Sequence, residues 1–194
     1  MDFSENQASK NNILDRFKLA KDKFSVKLGN ESQIIEKEIE KAVDSDRTEP
    51  VEEIIKQVRN RLEEVTGNNF SEQEIAVIWI LKGGAMAEAH LEKAEEKYNS
   101  EELSDSGLVE MRQEAVEAER IFDRCLSVVQ AYDFNNIDFE DISLQKIQLN
   151  GEKPSKKVFE NEISSRIKSF HQNSEKSEQI YRKAEQQLND IPEF

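Results

Sequence analysis

Seven successive apolar residues, Ile75-Ala76-Val77-Ile78-Trp79-Ile80-Leu81, leave no polar face on one stretch of this chain. A helix of that composition has to be covered on every side, so the rest of the molecule must wrap it. Ser71 and Glu74 stand just ahead of it with the spacing of a capping box, in which the Ser hydroxyl accepts from the third helical amide and the Glu reaches back to the cap amide. The pattern predicts a helix over 71–98. Beyond Leu81 the apolar set narrows to a stripe, Val77, Ile80, Gly84, Ala87, Leu91, Ala94 and Tyr98, alternately three and four apart. That is the seam of one helix against one partner, as in a coiled coil.

Leu108, Met111, Ala115, Ala118, Phe122, Cys125, Val129 and Tyr132 repeat the spacing after the turn-rich link NSEELSDSG. Folding back about that link makes a central antiparallel helical hairpin. The register it predicts sets Leu91 against Ala115, Ala87 against Ala118, Gly84 against Phe122, Ile80 against Cys125 and Val77 against Val129. Large then mostly meets small, as interdigitated packing requires. Each of Gly83 and Gly84 costs a helix about 1 kcal/mol relative to Ala, and room for the Phe122 ring is the reason expected for the pair.

A competing reading makes Ile75–Leu81 a β-strand, with Lys82-Gly83-Gly84 as a phosphate-cradling turn before a helix. A parallel strand needs neighbours joined by crossover helices, and no other run in the chain is comparably apolar. KGG alone is also far short of a phosphate-binding loop.

Only 3 Pro and 6 Gly interrupt 194 residues that are 35% charged, which favours long helices over sheet. The fold class expected is therefore all-α, a bundle of four to six helices built on the hairpin. Residues 1–11 are polar and expected to be loose, 12–170 to form the bundle core, and 171–194 to form a helical C-terminal extension. Ile13, Phe17, Ala20, Phe24 and Leu28 make the first helical stripe, stopped by Gly29-Asn30. A second, shorter helix opens at Ser32 and runs on Ile35, Ile39 and Ala42, with Ile34 and Val43 widening its face. A third has Pro50 in its first turn and follows Val51, Ile55, Val58, Leu62 and Val65 to Thr66-Gly67. Phe70 is placed to staple onto Ile75. Residues 137–149 carry three apolar pairs two apart, ending in Ile147/Leu149, and fit either an extended segment lying over the bundle or a short helix, since both periods leave mismatches. From Pro154 a last helical region carries Val158, Phe159, Ile163, Ile167 and Phe170. A polar stretch, HQNSEKSEQ, follows and is expected to be solvated or broken, and then come Ile180, Tyr181, Ala184 and Leu188.

The formal net charge is −14, and its excess is local: between Ala85 and Asp141 there are 16 acidic residues against 5 basic ones. Direct nucleic-acid binding is disfavoured, because phosphate contacts need basic footprints. The face expected to meet a partner carries Glu88, Glu92, Glu95, Glu110, Glu114 and Glu117. It serves either as a solvated face that keeps a helical protein soluble or as an imitation of nucleic-acid phosphate rows that occupies a basic protein's groove, the device of a phage or mobile-element inhibitor. No apolar stretch reaches the ~20 residues of a membrane span, the amino terminus lacks the basic and apolar regions of a secretory signal, and one Cys cannot make an internal disulfide. A cytoplasmic protein without membrane contact is expected, with Cys125 a small buried hydrophobe.

Catalytic patterns are sparse. Glu88-Ala89-His90 lacks the Glu-x-x-His spacing of a carboxylate-bridged metal bundle, since Leu91 stands three on from Glu88. Glu114, Glu117 and Asp123 share a helix and offer carboxylates to a hard cation such as Mg²⁺, the basis of a third reading as an all-α metal-dependent enzyme. No nucleophile, cofactor loop or metal set can be assembled from residue types and spacing. The function expected is non-enzymatic: an acidic, cytosolic helical protein that binds another protein, itself included as a homo-oligomer, with no cofactor.

Overall fold

The structure, a computed structural model, describes residues 24–26, 34, 37–38, 41, 49–67, 69–100, 103–134, 147–149 and 155–189. It is an all-α bundle. Among the described residues the long helices are α1 (Val51–Thr66), α2 (Glu72–Tyr98), α3 (Asp105–Ala131) and α4 (Lys156–Asn189). At 1.5 Å per residue α2 and α3 are each about 40 Å long and α4 about 51 Å. Two three-residue strands, β1 (Phe24–Val26) and β2 (Ile147–Leu149), pair antiparallel with Phe24 opposite Leu149.

Local sequence sets the helix ends. The Glu74 amide donates to Ser71 Oγ (3.1 Å) and the Ser71 amide to Glu74 Oε2 (2.8 Å), which completes the capping box that opens α2. Ser104 caps α3 by accepting from the Gly107 amide at 3.2 Å. α1 stops at Gly67, whose φ of 69° is the left-handed cap conformation that a Cβ disfavours; its amide donates to the Glu63 carbonyl.

Ion pairs fix the helix directions. Lys97 reaches Glu110 (2.6 Å) and Lys93 reaches Glu114 (3.2 Å), so numbers fall along α3 as they rise along α2 and the two run antiparallel. α4 is antiparallel to α3, through Arg112–Glu185 (2.8 Å) and Ser174–Asp123 (3.0 Å). It is parallel to α2, with Arg166 Nη1 donating to the Leu81 carbonyl (3.3 Å) and Lys176 paired with Glu95. α1 joins at the start of α2 through Arg59–Glu72 (2.9 Å), and Arg61 pairs with Glu38.

Every residue from Ile75 to Leu81 is at most 2% exposed. Val51, Ile54, Ile55, Val58 and Leu62 of α1, Phe70, Phe122 and Cys125 of α3, and Phe159, Ile163 and Phe170 of α4 belong to the same buried cluster, so three other helices contribute to the core that holds the apolar run.

Packing departs from the sequence register at named positions. Gly84 meets α4 rather than Phe122: a Cβ there would lie 2.7 and 2.8 Å from the Phe170 ring. Cys125 lies against Gly83, with Sγ 2.8 Å from where a Cβ would stand. Heptad spacing identifies the inward stripe of α2, but α2 packs on both α3 and α4, and that stripe is shared between the two. At the end of α3, Val128 is buried and Val129 only partly so. Phe24 belongs to β1, not to a helical stripe; Phe-Ser-Val and Ile-Gln-Leu both alternate with period two, and each supplies the other's ladder. Val65 and Val158, read as inward, are 61% and 44% exposed.

α4 is continuous through the polar stretch at 171–179. Ser177 in its middle is fully buried and donates to the Asn173 carbonyl at 2.8 Å, and Ile180 and Ala184 beyond it are buried in the core cluster. A small hydroxyl turned back on its own helix lets the backbones approach where a larger apolar side chain would not fit. Of the second expected helix, residues 34, 37, 38 and 41 are described and helical, and Ile34 packs on the core; its other residues, those of the first expected helix outside 24–26, and 137–146 lie outside the described residues.

Candidate functional site

The acidic face of α2 and α3 is the surface that the sequence singles out, and the fold brings most of its carboxylates to bases of the same chain. Glu114, on α3, accepts from Lys93 Nζ through Oε1 (3.2 Å) and lies 2.6 Å from His90 Nδ1 through Oε2. All three side chains are at most 20% exposed. Burial of Glu114 opposes its ionisation, but the His90 hydrogen bond and charge together with Lys93 outweigh it and hold the carboxyl below its usual range.

Glu110 pairs with Lys97 one turn away, Glu95 with Lys176 of α4, and Glu117 with Arg120 at 3.8 Å within α3. Glu88 and Glu92 are exposed on α2. The six glutamates do not form one uninterrupted row: three of them, Glu95, Glu110 and Glu114, are anchored across helix junctions. The sequence carried a signal for two of these pairs, because Lys93/Lys97 and Glu110/Glu114 share a four-residue spacing that antiparallel helices align.

Glu114, Glu117 and Asp123, the set considered for a hard cation, go to separate partners. Asp123 accepts from Ser174 Oγ of α4 (3.0 Å), and among the described residues no three metal-ligating side chains gather at one point. Glu119 is held above its usual pKa, first by burial and then by the charges of Asp123 and Glu178, against Arg120 and Arg182.

Val77, Ile80, Gly84, Ala87, Leu91, Ala115, Ala118, Phe122 and Cys125 of the expected structural core are buried. Burial, with a smaller contribution from the charge of Glu88, pushes the Cys125 thiol far above its usual pKa, so it is packed as an inert hydrophobe. The buried indole N–H of Trp79 has no hydrogen-bond partner among the described residues. Tyr132 Oη donates to Glu72 Oε2 (3.4 Å), whose other oxygen holds Arg59, tying α1, α2 and the end of α3 together.

The outward side of α3 is different in character. Val109 is 43% exposed, and a groove of about 270 Å³ is lined by Val109, Arg112, Gln113, Val116 and Glu117. A second hollow of about 240 Å³, at the turn between α2 and α3, is lined by Tyr98, Leu103, Leu108, Met111 and Lys183 among others, with Lys183 Nζ 3.7 Å from the centre of the Tyr98 ring. No described helix is long and apolar enough to cross a membrane. Comparison with protein-family models, with curated proteins and with solved structures finds no match.

Proposed function

We propose that this chain is a non-catalytic helical protein whose work is to bind another protein through the outer surface of the α2–α3 pair. The observation that carries the reading is the strip on α3 where Val109 and Val116 stand exposed or half-exposed among Arg112, Gln113 and Glu117. Apolar side chains ringed by polar and charged ones are the composition of a protein interface. The cross-helix pairs of Glu114, Glu110 and Glu95 support it by giving these carboxylates work inside the bundle. An imitation of phosphate rows would need the same charges unanswered and aligned, so the pairing favours the interface over the mimic. A cytoplasmic setting, proposed with it, rests on the acidic surface and the single, buried thiol of Cys125.

Capture of partners from the native host at ~0.15 M and ~0.5 M salt tests the proposal, since exposed charge contacts are screened within about 4 Å at the higher salt. A partner retained at high salt and lost with Val109→Arg supports it. A basic nucleic-acid-binding protein that washes off at high salt and is indifferent to Val109→Arg replaces it with the mimic.

A further inference from the structure

We draw no further inference here: the strongest candidate, the hollow at the turn between α2 and α3 that is lined by Leu103, Leu108, Met111 and the Lys183–Tyr98 pair, carries nothing because nothing in the structure shows what fills it.

Discussion

Phe170 of α4 closes on Gly84 of α2 so tightly that a Cβ on the glycine would lie 2.7 Å from its Cε1 atom and 2.8 Å from Cζ. The ring is fully buried and tilts against Phe122 at 5.7 Å between centroids, so it has little room to yield. The glycine is therefore the place on α2 that leaves room for the Phe170 ring of α4.

Two effects oppose each other in Gly84→Ala. Alanine is the better helix former by about 1 kcal/mol, while overpacking a rigid core costs about 1–3 kcal/mol. With both contacts under 3 Å, overpacking should win, and the melting temperature should fall by a few degrees. Phe170→Leu in the same chain should recover most of the loss, and Phe122→Leu should not. A single variant that melts higher than the parent would remove the close approach.

The Glu114 cluster predicts a pH dependence of known sign. The folded carboxyl is held below its ordinary range by His90 and Lys93, acting against burial, so it contributes stability above the unfolded pKa, and that stability is lost as pH falls through the folded value. Glu114→Gln should cost about 1–2 kcal/mol near neutrality, as for a hydrogen-bonded charge partly buried. The gap between parent and variant should close as the pH drops below the usual carboxylate range of ~4.3. Chemical denaturation of both proteins from neutral to acid pH measures it; a gap constant with pH would mean that Glu114 acts by packing alone.

How far the chain could be read from its sequence depends on how local each signal is. The capping box of Ser71 and Glu74 and the apolar run after it both lie within one stretch of sequence, and both stand in the structure as the pattern predicts. The partner of Gly84 could not be read the same way. Its stripe is equally good for α3 and α4, and only the three-dimensional closure of the bundle assigns it to Phe170. Ser177 was hidden for the opposite reason: inside HQNSEKSEQ it looks solvated, and its burial depends on the residues that α4 crosses. At the acidic face composition gave the sign of the charge, while the cross-helix pairing of Glu110 and Glu114 needed the register.

Tyr132 offers a spectroscopic check on the α1–α2–α3 junction. Burial, then the charge and hydrogen bond of Glu72, push its phenol well above the usual range. In the folded protein it should fail to ionise at the ordinary phenol value of ~10. Because the folded pKa is raised and the neutral form is the one favoured, this site lowers stability as pH rises past the unfolded phenol value. The difference in near-ultraviolet phenolate titration between the parent and Tyr132→Phe isolates its step, and Glu72→Gln should move that step to lower pH. A Tyr132 step at the ordinary phenol value of ~10 would mean that the junction is open to solvent.

The most informative truncation ends the chain after residue 174. The polar composition of 171–179 suggests a tail that can be removed without consequence, but the helix continues, and Ser177, Ile180 and Ala184 are buried beyond the cut. Lys176–Glu95 and Arg112–Glu185 also tie that half of α4 to α2 and α3. Losing the burial of Ile180 alone removes about 1.5–3 kcal/mol, and the lost packing around Ala184, Tyr181 and Leu188 adds to it. Removal of 175–194 should therefore lower the melting temperature strongly while leaving the other half, anchored by Phe159, Ile163 and Phe170, in place. Hydrogen exchange should locate the damage at the turn between α2 and α3, with Ile75–Leu81 still protected. A truncated chain that melts with the parent would show that the second half of α4 rests on the bundle without stabilising it.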